Sequence, residues 1–310
     1  MDAQTGPERA VRTEPDGFLV EIVPGERIHF LDWGGPADRH ATNPVLLIHG
    51  LNATAWAWAP VARRLGRVTR TVAIDLRGHG LSDAPTSGYT PDQLAEDVIA
   101  VAEGSGLLGQ PDPGILLAGH GYGGIVAAWT AARLGARCTG LVLVDGGWED
   151  LAVETGMTPD EWLRDLEEPP AVFRSMAAYL ADRRDFDPSS WDADQEQAAR
   201  STVVEVPAGK VVSAVRPHAL AGSVEAIFAY DPLTTLVEVP APIVAIVAGG
   251  EDANGKQAAL KAADDARRRA GLAPIRVVDL GDVGHNLMRY RPVEVTEAIV
   301  AAARSRPGEP

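Results

Sequence analysis

Residues able to do chemistry collect where apolar runs give way to loops. The segment Leu117-Ala118-Gly119-His120-Gly121-Tyr122-Gly123-Gly124 passes from such a run into a helical pattern, a sharp strand-to-helix turn built on glycine. Gly119, Gly121 and Gly124 satisfy the phosphate-binding pattern G-x-G-x-x-G. That fingerprint follows the first strand of its unit and is answered by an acidic residue after the next strand. Here four or five apolar runs precede it and Asp145 is a partial match only, which argues against a dinucleotide site. Later loops hold Gly249-Gly250-Glu251-Asp252 and Gly284-His285-Asn286, carboxylates and a histidine of the kind used for proton transfer. His29, His40 and His218 have no partners at metal-ligand spacing, and no H-E-x-x-H occurs. No cofactor is expected. Cys138, the single cysteine, reads as the start of a buried strand rather than as a nucleophile.

The elements that must position these residues follow from periodicity. Apolar runs over 18–23, 27–33, 45–49, 71–75, 115–120, 141–145, 243–248 and 275–280 predict strands. The first two are joined by Pro24-Gly25-Glu26, a hairpin turn. The later runs are almost continuously apolar, as strands covered on both faces of a parallel sheet must be. Helical patterns over 54–65, 91–103, 122–134, 255–270 and 292–304 alternate with them. This alternation predicts an α/β fold, a mostly parallel eight-stranded sheet flanked by helices. Between 146 and 235 the alternation stops, and the stretch lacks clear strands. Helical segments over 159–166, 171–181 and 191–201 stand there, opened by Thr158-Pro159 and Ser190-Trp191. The expected organisation is a core of residues 15–145 and 236–304 with a helical insertion over 146–235. The first dozen residues and 305–310 read as frayed ends.

Taken in order along the chain, these segments resemble the α/β-hydrolase superfamily, whose nucleophile stands at the centre of a G-x-S-x-G elbow. Gly119 and Gly123 match its flanking glycines, but Gly121 occupies the position of the serine. The resemblance covers nearly the whole chain and implies the α/β-hydrolase fold, with residues 146–235 as a cap, or lid, over the site. It implies that Ile48-His49-Gly50-Leu51 supplies one oxyanion-hole amide, from Leu51, and that Tyr122 supplies the other. Asp252 is implied as the carboxylate that orients His285, the general base, with Glu251, Asp282 and Asp145 as competing carboxylates. The loop Asp75-Leu76-Arg77-Gly78-His79-Gly80-Leu81-Ser82-Asp83 resembles the D-x-R-G-x-G-x-S loop of the superfamily. Pairing among Asp75, Arg77 and Asp83 would fix it, with His79 a loop residue. Asn52, Trp56, His120, Trp148 and Met288 are candidates for the pocket wall, while Trp58 reads as packing.

The implied activity is hydrolysis of a small, fairly apolar carboxylic ester or lactone. Glycine carries no nucleophilic atom, so no acyl-enzyme forms at position 121. Three readings follow: a serine enzyme inactivated at this position, a non-catalytic receptor for a small molecule, or a site where His285 acts on water or on a substrate proton. Epoxide hydrolases and haloalkane dehalogenases resemble the chain elsewhere but place an aspartate at the elbow.

Composition narrows the partners. The 310 residues carry a formal net charge of −15, with 45% hydrophobic and 23% charged residues, which are ordinary globular values. The acidic balance argues against nucleic acid, whose phosphates require clustered Lys and Arg. The opening residues lack the apolar run of a signal peptide, and no run is long enough to span a bilayer, so a cytoplasmic protein free of membrane is expected. Residues 146–235 hold 17 acidic against 7 basic residues, ten of the fifteen net negative charges. An acidic lid favours a neutral substrate.

Overall fold

The structure, a computed structural model, describes residues 13–36, 42–109, 114–166, 172–207, 209–249 and 253–304. The expected frayed ends, before 13 and beyond 304, lie outside the described residues. Strands β1 (Asp16–Val23), β2 (Glu26–Gly34), β3 (Val45–Ile48), β4 (Thr71–Ile74), β5 (Ile115–His120) and β6 (Cys138–Val144) form one eight-stranded sheet. After two further strands set apart from it, β7 (Val203–Val206) and β8 (Lys210–Ser213), the sheet is completed by β9 (Ile243–Gly249) and β10 (Arg276–Asp282). The order is β1-β2-β4-β3-β5-β6-β9-β10. Only β2 runs against its neighbours; it pairs antiparallel with both β1 and β4, and every other pairing is parallel. Pro24-Gly25 closes the hairpin, with Gly25 at a φ of 86° that glycine adopts without strain.

The eight predicted strands and the five helical patterns between them are all present. Helices α1 (Ala59–Leu65), α2 (Pro91–Gly104) and α3 (Tyr122–Leu134) precede the insertion. The insertion contains α4 (Leu151–Thr155), α5 (Pro159–Leu166), α6 (Met176–Phe186), α7 (Ala193–Ser201), α8 (Pro217–Phe228) and α9 (Pro232–Thr235). Helices α10 (Ala253–Arg269), α11 (Leu287–Tyr290) and α12 (Pro292–Arg304) close the chain. Side chains alternate across the sheet with the period of two that a strand imposes. Leu46 and Ile48 of β3 join Leu94, Val98 and Val126 from α2 and α3, while Val45 and Leu47 join Val61 and Leu65 of α1 and Ile299 of α12. All four β3 side chains are fully buried, each contributing roughly 1.5–3 kcal/mol of apolar transfer energy. Helices on both faces explain why these strands read as unbroken apolar runs.

Four expectations need correction here. The insertion is not free of strands, because β7 and β8 form an antiparallel hairpin that Phe173 extends through a bridge to Val211. Its strands are four residues long and mostly exposed, so they lack the buried run that marks a strand in sequence. The helix expected over 171–181 starts later, at Met176, where the Ser175 side chain accepts from the Ala178 N–H. The next one starts behind Asp192, which caps it in preference to Ser190. In the loop after β4, Asp75, Arg77 and Asp83 do not pair with one another. Arg77 forms a two-pronged buried pair with Asp97 of α2 (2.6 and 2.8 Å), Asp83 pairs with Arg27, and Asp75 accepts from His29 Nδ1 at 2.8 Å. The carboxylates fix the loop by tying it to β2 and α2, partners distant in sequence.

Candidate active site

The turn between β5 and α3 puts Gly121 at φ 52°, ψ −118°, a conformation costly for any residue with a β-carbon. Positions 119 and 123, two places to either side, are glycines because the helix lies against the strands. A β-carbon on Gly119 would meet the Gly123 carbonyl oxygen at 2.1 Å, and one on Gly123 would meet the carbonyl oxygens of Ile48 and His49 at 2.4 Å. A β-carbon on Gly121 would meet no backbone and would point at His285, in tight contact with Nε2 at 3.2 Å. The elbow therefore aims whatever side chain it carries at one imidazole nitrogen.

His285 lies in the loop between β10 and α11. Its Nδ1 is 2.6 Å from Oδ2 of Asp145, so this nitrogen carries the proton and Nε2 is left as the base facing the elbow. Asp145 follows β6 at a φ of 46°, a left-handed conformation uncommon for a non-glycine residue. Its buried carboxylate also accepts from the Ala248 N–H at 3.0 Å and from Lys256 Nζ at 3.0 Å. Burial opposes the charge of Asp145, but the hydrogen bonds from His285, Lys256 and Ala248 outweigh it and hold the carboxyl below its ordinary range. His120, at the end of β5, donates Nε2–H to the His285 carbonyl (3.0 Å) and packs its ring 4.4 Å from the His285 ring. Burial and the neighbouring imidazole lower its pKa to about 3, so it stays neutral and braces His285.

A cavity of about 940 Å³ opens over these groups. Leu51 and Tyr122 line it on either side of Gly121, together with His120, Asp145, Glu149, Lys256 and His285. His49 shapes the loop that leads to Leu51. Its Nδ1–H donates to the Gly50 carbonyl and its Nε2 accepts from the Leu76 N–H. Burial lowers the pKa of His49, and that of His79 to about 3. His79 is thus a buried neutral loop residue packed against His49, with the rings tilted by 56° and 5.2 Å apart.

The carboxylate on His285 is Asp145, which the sequence offered only as a competing candidate. Asp252 and Glu251 lie outside the described residues, as does His40, and Asp282 is exposed on β10. Register explains why Asp145 reaches the site. His120 pairs with Val144, and the Gly121 N–H donates to the Val144 carbonyl, so the residues that end β5 and β6 are neighbours. Adjacent strand ends in a parallel sheet were the available signal. Four pocket candidates fall elsewhere. Trp148 is fully buried in the core on the α3 side, and Met288 is buried on the α12 side. Trp56 faces a surface groove beside Arg63, and Asn52 lines a separate, smaller chamber. Sequence reasoning missed Lys256 and Glu149, whose types are common on any helix or loop surface. Among the described residues, no group of three or more His, Cys, Asp or Glu side chains is placed to hold a metal ion, and no helix is long and apolar enough to cross a membrane.

Residues 45–298 match the alpha/beta hydrolase family. The chain belongs to that family. Among curated relatives of this chain, N-formylmaleamate deformylase of Pseudomonas putida is 37% identical over 122 residues, 39% of this chain and 42% of that protein. Protein phosphatase methylesterase 1 of Mus musculus is 38% identical over 105 residues, 33% of this chain and 27% of that protein. The alignment thus spans less than half the length of each. Among solved structures, E-2-(acetamidomethylene)succinate hydrolase superposes with a TM-score of 0.73 at 20% identity, covering 94% of this chain and all of that one (100%). The thioesterase domain from the curacin biosynthetic pathway gives 0.66 at 22% identity, covering 92% and 98%. At these identities the superpositions speak for the fold.

Proposed function

We propose that this chain carries the site of a hydrolase for small, fairly apolar carboxylic esters or lactones, with Gly121 at the nucleophile position. The reading rests on the elbow at Gly121, which aims a β-substituent at Nε2 of an imidazole whose Nδ1 is held by Asp145. With a serine at 121, the hydroxyl would attack the carbonyl carbon while its proton passes to His285 Nε2. The Leu51 and Tyr122 N–H groups would hold the developing oxyanion, and His285 would protonate the leaving alkoxide. Water would then release the acyl group by the same route. With glycine there is no hydroxyl, so this chain forms no acyl-enzyme, and what remains is binding, oxyanion stabilisation and a histidine base. The relatives named as a deformylase and a methylesterase support attack at a carbonyl carbon. Residues 146–235 are proposed as the cap that shapes the pocket.

The test is Gly121→Ser assayed on a panel of small esters and lactones, with labelling by a fluorophosphonate as a second readout. Esterase activity and labelling should appear together and vanish in Gly121→Ser/His285→Ala. The parent should show at most the small acceleration available without a nucleophile. Because the added β-carbon sits 3.2 Å from the imidazole at positive φ, the variant should also be less stable by about 1–3 kcal/mol. A folded Gly121→Ser protein that neither labels nor hydrolyses any ester refutes the reading. A relative named epoxide hydrolase 3, from Xenopus tropicalis, 35% identical over 119 residues, supports a parallel assay of Gly121→Asp on epoxides and haloalkanes.

A further inference from the structure

Beside the main cavity lies a second chamber of about 280 Å³, between α6 and α7 of the insertion and the loop that follows β3. Ala53 and Asn286 line both spaces, so they adjoin directly behind His285. The buried side-chain oxygen of Asn286 accepts no hydrogen bond among the described residues. Three aromatic side chains, Tyr179, Phe186 and Trp191, line the chamber, with Phe186 strongly exposed at its rim.

The two spaces differ in charge. The main cavity is lined by Asp145, Glu149 and Glu154, with Lys256 committed to Asp145. The charged residues lining the side chamber are Arg183 and Arg289. Arg289 is largely buried and held in place by Nε to Ser190 Oγ at 2.6 Å, by Nη2 to the Asp187 carbonyl at 3.0 Å and by the Asp187 carboxylate at 3.9 Å. Its remaining edge makes no hydrogen bond among the described residues. Arg183 stacks over Tyr179 at 5.8 Å and pairs with the exposed Asp182. A fixed guanidinium beside aromatic faces, with one edge free of hydrogen bonds among the described residues, suits a planar anion, because guanidinium geometry matches a carboxylate and aromatic faces bury a ring.

We propose that the side chamber is a binding site for an aromatic carboxylate, with Arg289 and Arg183 on the carboxylate, the three aromatics around the ring and the Asn286 amide toward the main cavity. Its use as the subsite for the part of a substrate remote from the scissile bond rests on the hydrolase reading above; the binding itself does not.

The experiment is calorimetric titration of the Gly121 chain, as it stands, with 2-naphthoate and with the neutral 2-naphthamide. Naphthoate should bind with a dissociation constant on the order of 1 mM or tighter, at least tenfold more tightly than the amide, and more weakly at high salt. Arg289→Gln should lose at least tenfold. Because Arg289 also anchors the 187–190 loop, Ala199→Phe serves as a second variant that fills the chamber from α7, and it too should abolish binding. Equal affinity for naphthoate and naphthamide overturns the proposal. So does binding that survives Ala199→Phe but is lost when Ile125→Phe fills the main cavity. Loss of esterase activity in the Gly121→Ser test leaves this result untouched, so the two readings fail separately.

Discussion

Replacing Glu149 by glutamine should change how the stability of this protein depends on pH. Glu149 follows β6, lines the main cavity and receives a weak hydrogen bond from the Trp148 N–H at 3.3 Å. Burial raises its pKa to about 7, with Lys256 pulling it down and Glu154 pushing it up. In the unfolded chain the same group titrates near its ordinary 4.5. The folded state therefore holds the proton more tightly than the unfolded state does. The stabilisation is complete below about pH 4.5 and is lost as pH rises through about 7. At about 1.4 kcal/mol per pH unit, the displacement sets an upper bound of about 3 kcal/mol. The cavity admits solvent beside the carboxyl, so roughly 1–2 kcal/mol is the expected loss. Glutamine keeps the shape and cannot ionise. Chemical denaturation of parent and Glu149→Gln between pH 4.5 and 8.5 should give curves that meet at the acid end. The variant should then become the more stable by roughly 1–2 kcal/mol near pH 8. Other titrating groups cancel in the difference. Parallel curves, or a gap that closes as pH rises, would refute the assignment of a buried neutral carboxylic acid to this position.

Further outcomes follow from the same geometry. In a Gly121→Ser background, Asp145→Asn should lower kcat by about 10³–10⁴-fold with little change in KM, since it removes the acceptor that fixes the His285 tautomer. Steady-state kinetics check this, and an unchanged kcat would move the carboxylate's role elsewhere. Asp97→Ala should cost about 3 kcal/mol in denaturant unfolding, because it removes the two-pronged partner of the buried Arg77 and leaves only Glu26, at 3.5 Å, to offset its charge. The Gly121→Ser activity test and the naphthoate titration complete the set.

Much of the fold is legible in the sequence because its causes are local and repeated. Strands covered on both faces leave apolar runs, and the helices between them carry their own start signals, such as Pro91 behind Thr90, whose side chain accepts from the Gln93 N–H. The short hairpin β7–β8 escaped because half-exposed strands of four residues bury too little to leave a pattern. At the site, the elbow glycines were legible for a related reason. Gly119, Gly123 and Gly124 abut backbone at distances that forbid a β-carbon, so the packing is written into residue type.

What the sequence could not resolve was choice among equivalent groups. Asp145, Glu251, Asp252 and Asp282 are chemically the same candidate for His285, and only the pairing of β5 with β6 and of β6 with β9 carries Asp145 to Nδ1. The partners of Asp75, Arg77 and Asp83 were likewise misjudged from proximity in sequence, when the fold offered His29, Asp97 and Arg27. Trp148 and Met288 looked like pocket residues because they flank the site in sequence, yet both point into the core. The sequence by itself determined the alternation of strands and helices, the glycine elbow and the missing hydroxyl, since these depend on residue type and short-range pattern. Tertiary structure alone decided which carboxylate holds the base, where Lys256 and Glu149 stand, and that two arginines share a chamber. Those facts depend on which chain segments the sheet register and the insertion bring together, and side-chain chemistry is indifferent to that until the chain has folded.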